Sequence, residues 1–234
     1  MKNKLFIALD IDGVLNSNQD HLKLAELQQA KDILGMVEAL QNEIKFSKTT
    51  KGGLCYGNLV NRHQLKLLNE FINKMIQQDY DVHIVGISSW FSTNPNDIML
   101  LNCDRKELYD FFEFHPSVTF HCAKYTIGVS HKRLESYLTY IESVINEING
   151  NQQNIKDEEN KTINHDTHGV KPVVGNTDKS NIICLYLDDL RHDNIELFNQ
   201  QLSNFKNRNS NIQWFYPKIT ERFGLQKDDL DVNV

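Results

Sequence analysis

Short, mostly apolar runs alternate along the chain with longer segments in which apolar residues recur at helical spacing. The runs are Leu5–Leu9, Val82–Ser88, Ser117–Ala123 and Asn181–Asp189. Runs of this kind are typical of strands buried on both faces of a parallel sheet. Segments 61–78 and 130–148 have the apolar spacing of amphipathic helices, and they precede the second and fourth runs. This alternation predicts an α/β protein with a parallel sheet, in which ligands bind at the carboxyl ends of the strands.

Two segments depart from this alternation. Residues 16–61 follow the first strand directly and contain a helical pattern, then a hairpin-like stretch that turns near Gly52 and Gly53. An insertion at that point would lie above the strand ends and cover a site there. Residues 150–180 are polar and rich in asparagine, which predicts a mobile loop. The whole chain, 1–234, is expected to be a single domain with one cap-like insertion.

Composition narrows the classes of partner. With 234 residues and a formal net charge of -6, the chain can bury one core but is too acidic for nonspecific binding to nucleic acid or anionic membranes. It has no apolar run of the about 18 residues that a membrane span needs, and no stable protein partner is predicted. The four cysteines are scattered without a CxxC pair, which favours reduced core thiols and a cytoplasmic location.

Polar residues follow three of the apolar runs and open the helix after the remaining one. Because the carboxyl ends of parallel strands meet at one edge of the sheet, these side chains are expected to lie close together. Two like charges one residue apart at the end of a buried strand do not stabilise a fold, so Asp10 and Asp12 indicate chemistry. The full set is Asp10, Asp12, Ser88, Ser89, Lys132, Asp188, Asp189 and Asp193.

In this order, the stretches "DIDGVLN", "GISSW", "HKRLESYL" and "LDDLRHD" resemble the motifs of the haloacid dehalogenase-like (HAD) hydrolase superfamily. The resemblance covers the sheet core from about Leu5 to Asp193. It implies a Rossmann-like parallel sheet flanked by helices, with a small cap-like insertion after the first strand, and it implies phosphoryl transfer. Within the superfamily, "DIDGVLN" and "SSW" resemble the HAD domains associated with Swiss-army-knife RNA repair proteins.

The first motif supplies the reacting groups that the resemblance implies. Asp10 would attack phosphorus and form an aspartyl-phosphate, which divides one difficult displacement into two easier ones. Asp12 would protonate the leaving oxygen and later deprotonate the attacking water. A dehalogenase has no need for this second acid, so Asp12 favours phosphoryl transfer. Gly13 would let the backbone turn away and leave room to bind the phosphate.

The second and third motifs would bind the transferring phosphoryl group. Ser88 would donate a hydrogen bond to that group, with Ser89 as its rival and as a further substrate-binding residue. Lys132, at the start of a helix, would neutralise the phosphoryl charge and keep the nucleophile ionised. Lys124 is the alternative for this lysine.

The carboxylates imply a magnesium site. Two carboxylates this close repel each other unless a cation lies between them, and Mg²⁺ prefers oxygen ligands. The predicted ligands are Asp10, Asp12, Asp189 and Asp193. Asp188 is the rival of Asp189 for a place in this set.

The substrate class is predicted from the insertion. Lys45, Lys48, Lys51 and Arg62 make its second half locally basic, and Lys48 and Lys51 are the predicted contacts to a second phosphate. The predicted function is a Mg²⁺-dependent phosphohydrolase acting on nucleotide or nucleic-acid-end phosphates. A phosphatase for small metabolites such as sugar phosphates and a catalytically silent HAD-fold binding module are the alternatives.

Overall fold

The structure, a computed structural model, describes residues 2–29, 35, 38, 40–48, 54–91, 105–122, 132–147, 181–189, 195–220 and 222–232. In chain order its main elements are β1 (Asn3–Leu9), α1 (Asn18–Gln29), β2 (Ile44–Lys48), β3 (Leu54–Asn61), α2 (Arg62–Gln77), β4 (Tyr80–Gly86), α3 (Arg105–Phe112), β5 (Thr119–Cys122), α4 (132–147), β6 (Ile182–Leu187), α5 (Ile195–Arg208) and β7 (Ile212–Phe215). The predicted loop at 150–180 lies outside the described residues. Among those residues, none of the helices combines the length and apolar character that a membrane span needs.

Five strands form one parallel sheet in the order β5-β4-β1-β6-β7. β1 lies in the middle and pairs with β4 on one side and β6 on the other. The chain builds outward from β1 to β4 and β5, and it then crosses back to β6 and β7. The strand order therefore reverses at β1, and this is where open α/β sheets form a crevice for ligands. The sheet and its flanking helices confirm the predicted α/β, Rossmann-like fold.

The central strand is covered on both faces. Leu5, Ile7 and Leu9 are fully buried in a cluster with residues of α2 and α3. Phe6 and Ala8 are fully buried in a second cluster with residues of α4 and α5. Because successive side chains of a strand point to opposite faces, an uninterrupted apolar run is stable only where helices pack on both faces.

All four predicted strands are present. β4 and β6 end at Gly86 and Leu187, two residues before the ends of their apolar runs, so the polar residues of interest lie just beyond the strands. The apolar runs do not predict α3, α5 or β7. β7 has four residues and is only partly buried, which leaves it without a clear pattern. α5 does carry a sequence signal, because its buried Phe198 and Phe205 stand at helical spacing.

The insertion after β1 has a small core of its own. Its β2 and β3 form the predicted antiparallel hairpin. The buried apolar residues of this core are Leu24, Leu40, Ile44 and Leu59. The base of the hairpin is held to the loop after β1, where the Asn61 N–H donates to the Leu15 carbonyl at 2.6 Å and Asn61 Nδ2 donates to Asp20 Oδ1 at 2.8 Å. Whether the insertion covers a substrate stays a prediction.

Candidate functional site

The polar residues meet where β1, β4 and β6 end. The hydrogen bonds between neighbouring strands continue one residue past the strand ends. The Asp10 N–H donates to the Leu187 carbonyl of β6 at 3.0 Å, and the Ile87 N–H donates to the Leu9 carbonyl of β1 at 2.9 Å. Asp10 is thereby placed between the ends of the two neighbouring strands. This is the carboxyl edge of the sheet at the point where the strand order reverses, as the sequence predicts.

Asp10 is a buried carboxylate with a donor on each oxygen. Asp10 is only 4% exposed. Its Oδ1 accepts a hydrogen bond from the Ile11 N–H at 2.8 Å, and its Oδ2 accepts one from Arg133 Nη1 at 2.8 Å. Burial raises the pKa of Asp10 to about 6, although the Arg133 guanidinium and the Ile11 hydrogen bond act in the opposite direction. A carboxylate in this setting is oriented by the protein and is costly to ionise without further positive charge.

Asp10 belongs to a group of three acids. One carboxylate oxygen from each of Asp10, Asp188 and Asp189 lies within 4.8 Å of the others. Burial, with the Asp10 charge as the next cause, raises the pKa of Asp188 to about 7. The Arg133 guanidinium acts electrostatically on both Asp10 and Asp188, so two acids of the group depend on the same positive charge.

Gly13 makes this close grouping possible. Its φ is +79°, a conformation that L-residues other than glycine rarely adopt. A Cβ at this position would lie 2.5 Å from Asp189 Oδ2, closer than van der Waals contact allows. Glycine is therefore required both by the turn after β1 and by the approach of Asp189 to that turn.

The residues of this group fit a hard divalent cation such as Mg²⁺. Asp188 is only 2% exposed, and its buried Oδ2 atom has no hydrogen-bond partner among the described residues. A buried carboxylate oxygen without a partner is costly, and a cation shared with Asp10 and Asp189 would satisfy it. Of the predicted ligands, the structure brings Asp10 and Asp189 together and adds the rival Asp188. Asp193 lies outside the described residues.

Asp12 lies in the turn beside this group, and its carboxylate is engaged elsewhere. Its Oδ1 accepts Asn16 Nδ2 at 2.9 Å and its Oδ2 accepts Trp90 Nε1 at 3.1 Å. Among the described residues, the group of three acids does not include the Asp12 carboxylate. The structure therefore separates the two acids of the first motif: Asp10 faces the acid group, and Asp12 is held by two neutral donors.

The cation beside Asp10 is Arg133 rather than the predicted Lys132. Lys132 is exposed at the start of α4, and within the described residues the positive group in contact with Asp10 is Arg133. Helical spacing explains the difference. Residue 133 borders the buried stripe of α4 because Tyr137 lies one turn further on, whereas residue 132 lies on the opposite side. This signal was available in the sequence. Lys124, the alternative, lies outside the described residues.

Ser88 is buried at the end of β4, where it also begins a 3₁₀ turn. It is 1% exposed, its Oγ accepts the Trp90 N–H at 3.4 Å, and its carbonyl accepts the Phe91 N–H at 3.1 Å. Ser89 lies within that turn, and its side chain is outside the described part of the structure. The predicted contact of Ser88 with a phosphoryl group stays a prediction.

Two of the four residues predicted to make this region basic, Lys45 and Arg62, are used by the fold. Lys45 Nζ contacts Glu113 Oε1 at 2.7 Å and donates to the Asp110 carbonyl at 3.1 Å, which ties β2 to α3. Arg62 Nε donates to the Gln41 carbonyl at 2.8 Å. Lys48 ends β2, but its side chain and the whole of residue 51 lie outside the described residues. Lys48 and Lys51 therefore remain predicted substrate contacts.

Comparisons with known proteins leave the geometry as the basis for assigning a function. No protein-family model, curated protein or solved structure matches the chain. The site is therefore interpreted from its own contacts, burial and charges.

When no cation is bound, the three acids are expected to make the folding stability depend on pH. A carboxyl whose pKa is higher in the folded chain stabilises the fold at pH values below its unfolded pKa, and this contribution is lost as the pH rises through the folded pKa. For Asp10 and Asp188, the loss is expected between about pH 4 and the folded values of about 6 and about 7. In EDTA, Asp188→Asn is therefore expected to raise Tm by roughly 5 °C at pH 8 and to change it little at pH 4.

Differential scanning calorimetry at the two pH values measures this effect. Asp228→Asn is the matched control, because Asp228 is an exposed acid outside the group. If Asp188→Asn lowers Tm at pH 8 in EDTA, the acid group is not a source of charge strain.

Proposed function

We propose that this protein is a Mg²⁺-dependent phosphohydrolase of HAD type that cleaves phosphomonoesters through an aspartyl-phosphate on Asp10. The observation that carries the proposal is the buried Asp10 carboxylate, which contacts the Arg133 guanidinium and is grouped with Asp188 and Asp189 at the carboxyl edge of the sheet. A structural ion pair would need one acid for one arginine. Here Arg133 acts on two acids, Asp10 and Asp188, and Asp189 lies in the same group, so a bound cation would add positive charge where the acids meet.

The reaction uses Asp10 and Asp12 in sequence. An Asp10 oxygen attacks phosphorus, the new O–P bond forms, and the bond between phosphorus and the leaving oxygen breaks. Asp12 donates a proton to that leaving oxygen, so the product departs as a neutral alcohol. Water then attacks phosphorus and gives a proton to Asp12, the Asp10–phosphorus bond breaks, and inorganic phosphate leaves. Both acids return to their starting states.

Arg133 and the cation balance charge around the nucleophile. Arg133 Nη1 donates to Asp10 Oδ2. The Nε atom of Arg133 is buried and has no hydrogen-bond partner among the described residues. An arginine held in this way favours the ionised form of Asp10. Mg²⁺, held by Asp10, Asp188 and Asp189, would supply a positive charge that screens the nucleophile from the incoming phosphate.

The substrate class proposed is a nucleotide or the phosphorylated end of a nucleic acid, with Lys48 and Lys51 as contacts to a further phosphate. Lys45 and Arg62 weaken this part of the proposal, because both contact the protein itself. Their contacts favour the alternative of a small phosphorylated metabolite. The scattered cysteines, with Cys184 free and buried, support a proposed location in the cytoplasm.

Release of inorganic phosphate tests the proposed activity. The panel contains p-nitrophenyl phosphate, nucleoside monophosphates, sugar phosphates, and 3'- and 5'-phosphorylated oligonucleotides, each with Mg²⁺ and with EDTA. We expect release that requires Mg²⁺, and the preferred ester identifies the substrate class. Release that continues unchanged in EDTA contradicts a magnesium-dependent site. A folded protein that binds Mg²⁺ and releases no phosphate from any ester favours the silent binding module.

A further inference from the structure

The Asp12 carboxylate is held at both oxygens by Asn16 and Trp90, the last residues of the first two motifs, to which the sequence analysis gives no role. Asn16 Nδ2 lies 2.9 Å from Oδ1 and Trp90 Nε1 lies 3.1 Å from Oδ2. Both donors are buried, Asn16 at 1% exposure and Trp90 at 3%. Two rigidly placed donors, one on each oxygen, fix the plane of the carboxylate, so Asp12 cannot rotate as an exposed side chain would.

Each of the two donors is itself fixed. Trp90 lies in the 3₁₀ turn that follows β4, and its indole packs in the apolar cluster on the α2 and α3 face. The Asn16 amide makes three contacts: its Oδ1 accepts the Gly13 N–H at 2.9 Å, and its Nδ2 group also donates to the Leu59 carbonyl at 2.9 Å. Asn16 thus joins the turn after β1, the Asp12 carboxylate and strand β3 of the insertion.

We infer that Trp90 and Asn16 are positioning residues that aim Asp12 at the leaving oxygen of the substrate, and that the insertion contributes to this aim through its contact with Asn16. The inference rests on the proposed phosphohydrolase function and adds to it the residues that control proton transfer. Each Asp12 oxygen keeps a lone pair that its donor does not use, so the carboxylate can still carry the transferred proton. Proton transfer depends steeply on such geometry, since the acid must reach the leaving oxygen at hydrogen-bond distance.

A purely structural role of Trp90 would affect the activity on different substrates in a different way. A buried indole N–H needs an acceptor, and Asp12 would serve as one even in an inactive protein. Loss of a structural contact lowers activity equally for all substrates. Loss of a positioned acid lowers the rate only where the leaving group needs a proton. Nitrophenolate leaves as a stable anion without a proton, whereas an alkoxide requires one.

The experiment compares Trp90→Phe with wild type on p-nitrophenyl phosphate and on an alkyl phosphomonoester such as glycerol phosphate, both with Mg²⁺. The ratio kcat/KM is used because it reports only the steps up to departure of the leaving group. We expect Trp90→Phe to lower kcat/KM for the alkyl ester by roughly 10- to 100-fold more than for the nitrophenyl ester. Equal losses on the two esters, or no loss on either, overturn the inference.

Trp214→Phe is the matched control, because the chain has two tryptophans and the Trp214 indole N–H has no hydrogen-bond partner among the described residues. Trp214 packs against Tyr137 and Phe205 on the other face of the sheet. We expect Trp214→Phe to keep the wild-type ratio of the two esters. A change in that ratio equal to the change in Trp90→Phe also overturns the inference.

The hydrogen bond is tested separately from activity by nuclear magnetic resonance. The two tryptophans give two indole N–H signals, and Trp214→Phe assigns the signal of Trp90. Asp12→Ala is expected to shift the Trp90 signal and to leave that of Trp214 unchanged, and an unmoved Trp90 signal overturns the contact. This measurement does not depend on whether the Trp90→Phe variant folds. A wild type that releases no phosphate while the signal shifts removes the proposed function and the positioning role, but keeps the contact.

Discussion

Asp10→Asn is expected to remove Mg²⁺-dependent phosphate release, lowering kcat/KM by roughly 10⁴-fold. An amide does not attack phosphorus at a useful rate, so the covalent step through Asp10 is lost. The variant also removes one of the three acids that the proposed Mg²⁺ site requires, which lowers metal affinity as a second effect. Initial rates on the preferred ester, with calorimetric titration of Mg²⁺, measure both consequences.

The control for Asp10→Asn must break a similar ion pair outside the site. Asp81→Asn does so, because Asp81 Oδ2 contacts Lys4 Nζ at 2.6 Å and these partly buried residues belong to β4 and β1. We expect Asp81→Asn to lose stability and to retain its rate on the preferred ester. Wild-type turnover in a folded Asp10→Asn variant would falsify the assignment of the nucleophile. Equal loss of turnover in both variants would show that general stability, rather than Asp10 itself, controls activity.

Gly13→Ala is expected to destabilise the fold by about 2–4 kcal/mol and to weaken Mg²⁺ binding by at least about tenfold. The backbone at Gly13 has a φ of +79°, and the new Cβ would stand 2.5 Å from Asp189 Oδ2. Either the turn or Asp189 has to move, and both movements separate the acids. Chemical denaturation measures the stability, and titration calorimetry measures the affinity for Mg²⁺.

Gly224→Ala provides a control with the same kind of strain. Gly224 has a φ of +66°, and a Cβ there would collide with the Gln64 side chain and approach the Val14 carbonyl. We expect a comparable loss of stability with unchanged affinity for Mg²⁺. If both variants weaken Mg²⁺ binding to the same extent, the effect of Gly13→Ala is a general effect of instability and the close approach of Asp189 does not matter.

Some features of the fold and site could be predicted before the structure because they depend on local patterns. A continuous apolar run such as Leu5–Leu9 requires cover on both faces, so the central strand of the parallel sheet follows from the sequence. The placement of Asp10 and Asp189 at one edge follows as well, because parallel strands present their carboxyl ends together. Shorter elements such as β7 lacked a pattern long enough to be recognised.

Features that depend on which side chains approach each other were decided only by the tertiary structure. Trp90 and Asp12 are 78 positions apart in the chain, and their hydrogen bond depends on the pairing of β4 with β1. Helical spacing already places residue 133 beside the buried stripe of α4, but only the packing of α4 against the sheet brings Arg133 Nη1 into contact with Asp10.

By itself, the sequence determined that this is a parallel α/β protein with acids gathered at the carboxyl edge of its sheet, because hydrophobic periodicity and strand direction are local properties. The tertiary structure decided which of those acids share a site, which cation faces them and which donors hold Asp12. These contacts are set by packing between elements distant in the chain, and differences of a few ångströms decide them.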